Sequence, residues 1–392
     1  MRIGMILDAP FPDDARVSNE CDELIKRGHK IFLFCLSYKQ KFLKEEVYDG
    51  INIRRYFCSK LVYKSSALAN DLPFYNMKMA KKIRHFVKNN QTDCLHIHDI
   101  QIAGAAIQIC DELGLQFTLD LHENRPEIMK HYKHVNSFFG KLLINPSSWK
   151  IAEEKFIKKA HKVITVTKEA KKELLKSCMI NAKKIVVYPN TVKKSFYLNK
   201  NIDKKISTDY SKKFVLLYIG NTSKRRGLET VINSMSLLKD KILNIKLVII
   251  GQSSFDKKLR SKVEKLKLSN FVDFIGWKKE NELYKYLMIS HLGISPLHRN
   301  MHHDTTYANK LFQYISFGVP VICSNSTAQS ELISNYKCGK VFEERNSKDF
   351  EEKVLSLFND KKEYHLLKTN CLSAIKKLNN SVISKELVSI YE

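Results

Sequence analysis

The sequence predicts an α/β protein of two domains, each with a mostly parallel sheet covered by helices on both faces. The chain has 392 residues, which is enough for two domains of ordinary size. Short apolar runs typical of buried strands alternate with segments of helical spacing along almost the whole chain. This alternation pauses once, in the Asn- and Lys-rich stretch 190–213, and then starts again. The pause predicts one domain at residues 1–190 and a second that begins at residue 191.

The first half alternates strands and helices from its first residues. A buried parallel strand is a short apolar run, whereas a helix repeats its apolar residues at every third or fourth position. By these patterns the predicted strands are residues 2–8, 30–36, 51–57, 94–98, 116–122, 163–167 and 185–188. The predicted helices are residues 19–27, 76–88, 103–113, 152–160 and 170–176.

The second half repeats the same alternation. Its predicted strands are residues 214–219, 245–250, 272–275, 292–295, 319–323 and 340–342. Its predicted helices are residues 228–238, 256–266, 280–290, 310–317 and 349–358. Neither half has a G-x-G-x-x-G motif after its first strand, so no nicotinamide or flavin cofactor is expected.

Composition excludes several classes of protein. Apolar residues make up 44% of the chain, which argues against disorder, and no apolar run approaches the length of a membrane span. The first residues, MRIGMILDAPFPDD, lack the apolar core of a signal peptide, so a cytoplasmic protein is expected. The nine cysteines are scattered without a C-x-x-C pair, which indicates buried, reduced thiols and neither disulfides nor a zinc site.

The net charge of +26 raises the question of an anionic partner. Both halves are basic, +11 for residues 1–190 and +15 for residues 191–392, so the charge is spread evenly. An even spread is typical of a lysine-rich composition, and no nucleic-acid partner is expected. A basic surface does favour acidic lipid headgroups.

The stretch from Met301 to Ser330 is the most informative part of the sequence. A polar loop from residue 301 leads to Asn309 and Lys310, and the apolar residues that follow have the spacing of a short helix ended by Gly318. The first turn of a helix has unpaired N–H groups and the positive end of the helix dipole. Together with the charge of Lys310, this predicts an anion-binding site.

A second basic loop follows the first strand of the second half. The strand ends at Gly220, the loop carries Lys224, Arg225 and Arg226, and Gly227 begins a helix. Charge and backbone N–H groups in this arrangement suit a diphosphate.

At these residues the chain resembles a known family. NKLFQYISFGVPVICSN, residues 309–325, resembles the donor-site signature of retaining family 4 glycosyltransferases of the GT-B fold. The signature contains two glutamates eight positions apart, which are Thr305 and Gln313 in this chain. The resemblance covers nearly the whole chain and is most specific at residues 8–29, 119–127, 163–167, 218–230 and 309–331.

The resemblance implies a GT-B fold, in which two Rossmann-like domains face each other across a cleft. Residues 1–190 would bind the acceptor and residues 191–370 the nucleotide-sugar donor. Residues 371–392 would return to the first domain, with 378–392 as the last helix. No metal and no cofactor are expected, because the nucleotide-diphosphate sugar is a co-substrate.

The resemblance also implies roles for individual residues of the second domain. Arg226, Lys310 and the backbone N–H groups of residues 308–310, which include Ala308 and Asn309, would hold the diphosphate. Gln313 would bind the ribose hydroxyls and Thr305 a sugar hydroxyl, and Asp304 is a catalytic candidate that would supply the missing carboxylate. The remaining donor-binding residues are Gly220, Asn221, Gly276 and Trp277. Asn221 replaces a family arginine, and Trp277 suits packing as well as stacking.

In the first domain, polar residues follow the predicted strands, where ligands bind in parallel sheets. His122 matches a family histidine that reaches the donor sugar near its reacting carbon. The predicted acceptor-binding residues are Pro12, Asp14, Arg16, His98 and Asp99. For Arg16, an ion pair with Glu20 one helical turn on is an equally open interpretation, and His96 is interpreted as structural.

The predicted function is transfer of a sugar, with retention, to a saccharide or lipid-linked saccharide acceptor in surface polysaccharide or glycolipid synthesis. The basic, aromatic stretch 129–159 suits either peripheral contact with an anionic membrane or a packed helical insertion. Three alternatives are open: an inverting transferase, a GT-B nucleotide-sugar epimerase, and a non-catalytic partner subunit. The loss of both family glutamates motivates the last of these.

Overall fold

The computed structural model describes residues 1–12, 14–38, 43–130, 135, 144–198, 201 and 203–392. It separates into two units, which are described in turn: unit 1 contains Met1–Asn190 with Ile383–Glu392, and unit 2 contains Thr191–Val382. Asp13 and most of residues 131–143, which include Phe138, Phe139, Leu142 and Leu143 of the predicted membrane stretch, lie outside the described residues.

Unit 1 is built on a sheet in the order β3-β4-β2-β1-β5-β6-β7-β8, parallel except for β3. Its strands are β1 (Arg2–Ile6), β2 (Lys30–Ser37), β3 (Glu45–Tyr48), β4 (Ile51–Phe57), β5 (Cys94–His98), β6 (Phe117–Leu121), β7 (Lys162–Thr165) and β8 (Ile185–Val187). Its helices are α1 (Ala15–Lys26), α2 (Lys60–Lys64), α3 (Phe74–Asn90), α4 (Ala103–Leu113), α5 (Arg125–Met129), α6 (Pro146–Lys159) and α7 (Lys168–Cys178). The central strands are buried along their length, as predicted from their apolar runs.

Unit 2 has a parallel sheet in the order β11-β10-β9-β12-β13-β14. Its strands are β9 (Phe214–Ile219), β10 (Ile245–Ile250), β11 (Val272–Gly276), β12 (Leu292–Ser295), β13 (Val321–Ser324) and β14 (Gly339–Phe342). Its helices are α8 (Lys194–Leu198), α9 (Lys204–Tyr210), α10 (Leu228–Leu238), α11 (Asp256–Lys265), α12 (Glu280–Leu287), α13 (Met301–Asp304), α14 (Asn309–Ser316), α15 (Thr327–Tyr336), α16 (Ser347–Asn359) and α17 (Lys361–Leu378).

Three sequence predictions of local structure were wrong, and one strand was missed. Residues 378–392 do not form one helix, because Asn379 has an extended backbone after α17 and two short helices follow, α18 (Asn380–Ile383) and α19 (Lys385–Val388). The stretch 190–213 contains α8 and α9, and residues 301–304 form the single turn α13 where a loop was predicted. The exposed hairpin strand β3 was missed, since it lacks an apolar run.

Burial of apolar side chains occurs on both faces of each sheet. In unit 1, α3, α4 and α6 cover one face and α1 covers the other, where Leu387 and Val388 of α19 join the same core. All nine cysteines lie among the described residues, where each is buried, as the sequence indicates, and none forms a disulfide bond. Within the described residues, no helix is both long and apolar enough to span a bilayer.

Candidate functional site

In unit 2, two loops come together beyond the ends of β9 and β12. After β9, a single 3-10 turn contains Lys224–Arg226, and Gly227 follows with φ +77°. The carbonyl oxygen of Arg225 accepts a hydrogen bond from the N–H of His298 at 3.0 Å. A Cβ added to Gly227 would lie 1.7 Å from the carbonyl oxygen of Pro296, so only glycine allows this approach.

Gly227→Ala is therefore expected to lower the free energy of unfolding by more than about 3 kcal/mol. The matched control is Gly114→Ala, which also has positive φ (+65°) but no atom within 4 Å of the new Cβ. In that control the free energy of unfolding should fall only by the backbone strain, which is about 1–2 kcal/mol. Urea unfolding of both variants measures the difference, and equal losses would contradict the close approach.

Lys310 lies at the N-terminus of α14, beneath the first of these loops. The residue is 6% exposed, and its Nζ lies 3.9 Å from the centroid of the Tyr218 ring. Gly220 lies beside it, since a Cβ added to that glycine would be 3.6 Å from this nitrogen. Burial, together with the charge of Arg226, holds the pKa of Lys310 well below its usual range.

The charges of Lys310 and Arg226 are not compensated. In the part of the chain that the structure describes, neither side chain forms an ion pair with a carboxylate, and Nε of Arg226 is buried without a hydrogen-bond partner. Ala308, which precedes α14, supplies no side-chain cap to the first N–H groups of the helix. Two basic side chains without counter-ions beside uncapped helix N–H groups are the arrangement that the sequence predicted for an anion-binding site.

A contact between Arg225 and His303, which the sequence did not predict, connects the two loops. Arg225 Nη1 lies 3.1 Å from His303 Nε2, and His303 Nδ1 lies 2.6 Å from the carbonyl oxygen of His298. Burial, reinforced by Arg226, lowers the pKa of His303 to about 2. The neutral His303 imidazole therefore donates from Nδ1 to the carbonyl oxygen of His298 and accepts at Nε2 from the guanidinium of Arg225. These two hydrogen bonds hold the two loops together.

The predicted sugar-binding residues differ in their surroundings. Thr305 is buried and its hydroxyl donates to the carbonyl oxygen of Met301, inside the α13 turn. Asp304 pairs with Arg299 and accepts a hydrogen bond from the N–H of Thr327, which starts α15. These contacts give Asp304 a structural role, and its predicted catalytic role stays a prediction.

Gln313 and Trp277 are the predicted contacts with the strongest structural support for ligand binding. Gln313 is 8% exposed, yet among the described residues its side-chain amide has no hydrogen-bond partner. Trp277 is 63% exposed beside Gly276, so the packing interpretation is not supported and the indole is open for stacking. Asn221 is exposed, and its side-chain oxygen accepts from the N–H of Ser223.

In unit 1, the ends of β5 and β6 carry a buried network around Asp120. The guanidinium of Arg16 donates to both carboxylate oxygens of Asp120, at 2.6 and 2.9 Å, and pairs with Glu20 at 3.1 Å. Its third contact is the carbonyl oxygen of Tyr188 at 2.9 Å. The structure thus supports the interpretation that Arg16 pairs with Glu20, and the guanidinium is enclosed at 3% exposure.

Three histidines complete this network. His122 Nε2 lies 2.8 Å from Asp120 and 3.0 Å from His98 Nδ1, and His96 Nε2 lies 3.2 Å from Glu20. Burial would lower the pKa of His122, but Asp120 and Asp99 raise it to about 10. Burial and the neighbouring His96 lower the pKa of His98, so this imidazole is neutral between two protonated ones.

We name Arg16, Glu20, His96, His98, Asp120 and His122 the histidine network. Four of its members, Glu20, His96, His98 and Asp120, have ligand atoms within 4.8 Å of one another, as a metal site requires. Arg16, however, pairs with both carboxylates of this set, so a metal ion would compete with a guanidinium already in place. The cluster fits an ion-pair network better than a metal site.

Of the other predicted acceptor-binding residues, His98 belongs to the network and is completely buried. Asp99 has φ +62° and accepts from the N–H of His122, whereas Asp14 caps α1 by accepting from the N–H groups of Arg16 and Val17. Pro12 is exposed. Their contact with an acceptor stays a prediction.

The predicted membrane stretch contains α6, which is packed inside unit 1. Trp149 is 1% exposed and donates to the carbonyl oxygen of Ala67, and Ile157 is buried. For this helix the structure supports the interpretation of a packed insertion.

Two largely parallel sheets, with basic side chains beside a helix N-terminus at the end of the strands, are typical of nucleotide-binding α/β proteins. The family models agree and are more specific: residues 15–196 match Glycosyltransferase Family 4, and residues 199–371 match Glycosyl transferases group 1. The chain belongs to this family of GT-B glycosyltransferases.

Individual proteins show the same likeness. The chain is 23% identical to the capsular polysaccharide biosynthesis glycosyltransferase CapM of Staphylococcus aureus, over 58% of this chain and 60% of CapM. It is 21% identical to the alpha-monoglucosyldiacylglycerol synthase of Streptococcus pneumoniae, over 87% of this chain and 75% of that protein. The crystal structure of Anabaena HepE in complex with UDP has a TM-score of 0.74 at 12% identity, covering 100% of this chain and 99% of HepE.

Proposed function

We propose that this protein transfers a glycosyl group from a nucleotide-diphosphate sugar to a hydroxyl of a saccharide or lipid-linked saccharide, with retention of configuration. The observation that carries the proposal is the uncompensated pair Arg226 and Lys310 at the N-terminus of α14. A diphosphate supplies the negative charge that this site lacks. The names of CapM and the monoglucosyldiacylglycerol synthase support an acceptor in surface polysaccharide or glycolipid synthesis.

The proposed chemistry depends on stabilising the leaving group. Negative charge builds on the diphosphate as its bond to the sugar breaks, and Arg226, Lys310 and the N–H groups of Asn309 and Lys310 stabilise that charge. The departing phosphate oxygen takes the proton of the acceptor hydroxyl on the same face of the sugar. No metal ion is needed in this scheme, because the side-chain cations neutralise the charge.

Gln313 has a defined place in this proposal. Its unpartnered amide offers a donor and an acceptor to the two ribose hydroxyls, where the family glutamate offers a carboxylate. Neutral hydrogen bonds are weaker than charge-assisted ones, so donor affinity is below that of a glutamate-bearing site. Gln313→Glu tests this directly, with tighter binding of a nucleoside diphosphate as the expected result.

A donor screen tests the activity itself. The purified protein is incubated with a panel of nucleotide sugars, with and without saccharide and glycolipid acceptors, and the release of nucleoside diphosphate is measured. Acceptor-dependent release with an α-linked product from an α-linked donor supports the proposal. A β-linked product identifies an inverting transferase, and an epimerised sugar made without acceptor identifies an epimerase.

The non-catalytic alternative gives a different result in the same screen. Neither family glutamate position carries a carboxylate in this chain, since they are Thr305 and Gln313. A partner subunit would bind a nucleotide at the Arg226 and Lys310 site without turnover of any donor. Calorimetry on the same nucleotide panel separates this case from failure to bind at all.

Peripheral contact with an anionic membrane on the cytoplasmic side is part of the proposal. Unit 1 exposes a group of apolar side chains around α2 and α3, namely Phe57, Leu61, Leu72, Phe74 and Met77. Exposed lysines lie among them, including Lys60, Lys64, Lys78 and Lys81, and Lys78 Nζ lies 4.3 Å from the ring centroid of Phe74. Apolar side chains among lysines suit insertion into an interface of acidic lipids.

Vesicle co-sedimentation tests this contact. Binding to vesicles with phosphatidylglycerol and none to pure phosphatidylcholine is expected. Replacing Leu61 and Met77 by Ser should weaken binding to the acidic vesicles. Replacing the exposed Leu243 and Met179 by Ser serves as the control, because neither belongs to the α2 and α3 surface. Sedimentation unaffected by lipid charge would contradict the proposed contact.

A further inference from the structure

A group of polar and aromatic side chains lies at the carboxyl ends of the first strands of unit 1. Asp8 follows β1 and Tyr38 follows β2, its parallel neighbour in the sheet. The N–H of Leu36 in β2 donates to the carbonyl oxygen of Ala9 at 3.1 Å, which holds the two strand ends side by side. Ligands of parallel sheets bind at this edge.

Two helices at this edge each contribute a tyrosine. Tyr63 of α2 contacts the ring of Tyr38 edge-on, with centroids 5.2 Å apart, and both residues are partly exposed. Tyr75, in the first turn of α3, is completely buried in the core against which these two rings pack. We name Asp8, Tyr38, Tyr63 and Tyr75 the tyrosine cluster.

Asp8 and Tyr75 each contain a buried polar atom without a partner. Asp8 is 6% exposed and Tyr75 is 0% exposed. Among the residues that the structure describes, neither Oδ2 of Asp8 nor the hydroxyl of Tyr75 forms a hydrogen bond. Buried polar groups of folded proteins almost always have a partner, so two exceptions at one ligand-binding edge point to groups that receive a ligand.

The two groups are neighbours that do not bond to each other. Burial, and after it the charge of Asp8, raises the pKa of the Tyr75 hydroxyl above its usual range. Burial, then Tyr63 and then Asp8 do the same to the pKa of Tyr38. Asp8 and Tyr75 are therefore farther apart than a direct hydrogen bond but within electrostatic range, which suits ligand hydroxyls that bond to both.

The chemistry of these atoms favours a neutral hydroxyl compound. Burial raises the pKa of Asp8 to about 6, although Arg125 opposes the rise, so its carboxylate is ionised at pH 7 and only accepts hydrogen bonds. Within the described ranges, Oδ1 of Asn76 is a further buried acceptor without a partner, and Nδ2 of Asn70 a further donor. The carboxylate disfavours an anion and Arg125 disfavours a cation, whereas a saccharide hydroxyl both donates and accepts.

We propose that Asp8 and Tyr75 bind hydroxyl groups of a neutral saccharide, and that the rings of Tyr38 and Tyr63 contact its C–H face. One hydroxyl donates to the carboxylate in a charge-assisted hydrogen bond, and another bonds to the tyrosine hydroxyl. The charge of His122 reaches Asp8, so the saccharide lies beside the histidine predicted to contact the donor sugar. The identity of this saccharide as the acceptor rests on the proposed function.

Hydroxyl groups of this kind occur in free saccharides and in the headgroups of glycolipids. Phe74 and Met77, one and two residues from Tyr75 along α3, are exposed and belong to the surface proposed to contact a membrane. A glycolipid headgroup has a short path from that surface to the tyrosine cluster, and both sources are therefore tested.

Asp8→Asn and Tyr75→Phe test the proposal by direct binding, which requires no activity. The probes are the methyl glycosides of glucose, galactose and N-acetylglucosamine, titrated by saturation-transfer NMR. The diacylglycerol glycosides of the same sugars are tested in phosphatidylcholine vesicles by co-sedimentation. The dissociation constant should rise at least about tenfold in Asp8→Asn and about three- to tenfold in Tyr75→Phe.

The same variants should not lose stability, because the removed groups have no partner among the described residues. The pKa of Asp8 is higher in the folded than in the unfolded chain, so the carboxylate destabilises the fold at pH 7 and a neutral amide removes this cost. Tm should therefore rise by at least about 2 °C in Asp8→Asn. In Tyr75→Phe the ring stays in place, and Tm should not fall.

Two matched controls lie outside the tyrosine cluster. Tyr364→Phe removes a hydroxyl that donates to the carbonyl oxygen of His291 in unit 2, so it should lower Tm and leave saccharide binding unchanged. Asp111→Asn makes the same change of charge as Asp8→Asn at an exposed ion pair with Lys159, and should also leave binding unchanged.

Two results overturn the proposal. The first is that the wild type binds no probe, or binds one with an affinity that Asp8→Asn and Tyr75→Phe leave unchanged. The second is that both variants lose binding together with Tm, which assigns the two groups to the packing of unit 1. Weaker binding of free glycosides at an undiminished Tm supports a soluble saccharide, and weaker binding of glycolipid vesicles alone supports a headgroup.

The binding result and the proposed function are separable. If the donor screen shows no transfer while Asp8→Asn weakens saccharide binding, the proposed function fails and the saccharide site stands. If the wild type transfers a sugar and Asp8→Asn leaves the KM of the acceptor unchanged, the function stands and the saccharide site is refuted.

Discussion

Lys310→Met is expected to abolish glycosyl transfer and, at the same time, to make the folded protein more stable. The methionine keeps the length of the lysine stem, which packs over Gly220 and Tyr218, but removes a buried amine whose charge has no counter-ion and is disfavoured by burial and by Arg226. Replacing such a charge by an apolar side chain should stabilise unit 2 by about 1 kcal/mol or more. Loss of one cation from the leaving-group site should lower kcat at least about 100-fold.

Thermal unfolding with and without a nucleoside diphosphate measures both effects. The wild type should gain stability when the nucleotide binds, because it binds only the folded state. Lys310→Met should have a higher Tm than the wild type without nucleotide, and its Tm should rise little when nucleotide is added. Lys224→Met is the matched control, since Lys224 is an exposed cation of the neighbouring loop. Activity retained in Lys310→Met, or lost together with Tm, would refute the role given to this lysine.

Asp120→Asn is expected to cause the largest loss of stability in unit 1, about 3–5 kcal/mol. The carboxylate receives two hydrogen bonds from Arg16 and one from His122, and all of it is buried. Burial alone would raise its pKa, but Arg16 and His122 hold the pKa of Asp120 well below its usual range. With asparagine, two cations remain in a buried site without this counter-charge.

The control for Asp120→Asn is Asp111→Asn. Asp111 forms an ion pair of similar length with Lys159, at 2.7 Å, but both side chains are about half exposed. Its loss should change the free energy of unfolding by less than about 1 kcal/mol. Urea unfolding at pH 7 measures both variants. Similar small losses would mean that the Arg16 pair contributes no more than a surface pair.

The pH dependence provides a second check on Asp120. A carboxyl whose pKa is lowered in the folded state stabilises the protein above its unfolded pKa of about 3.9. That contribution is lost as the pH falls through the folded pKa. The difference in stability between wild type and Asp120→Asn should therefore shrink in acid and be full at pH 7.

The sequence predicted the strand and helix order well where local pattern decides the structure. Residues 103–113, 214–219 and 228–238 have the predicted bounds, because their apolar periodicity is uninterrupted. The prediction failed where a short polar turn, or a single residue with an extended backbone such as Asn379, ends one helix and starts another element. The family resemblance and the GT-B fold were both confirmed.

The candidate site was predicted less completely. Lys310 and Arg226 were identified by their place beside glycines and a helix start, which is a local signal. Asp120 was missed, although an aspartate inside the buried run Phe117–Leu121 requires a buried partner, and this could have indicated its role. The contact of Tyr391 with His96 and the pair Arg225–His303 were not predictable, since they join residues far apart in the sequence.

The return of Ile383–Glu392 to unit 1 has a consequence for biosynthesis. A ribosome releases residues 1–190 first, yet Leu387, Val388 and Tyr391 appear only after all of unit 2 has been translated. At rates of about 5–20 residues per second, this interval lasts roughly 10–40 s. Throughout it, the nascent unit 1 exposes the apolar surface that α19 later covers, which makes it a substrate for chaperones that bind emerging chains.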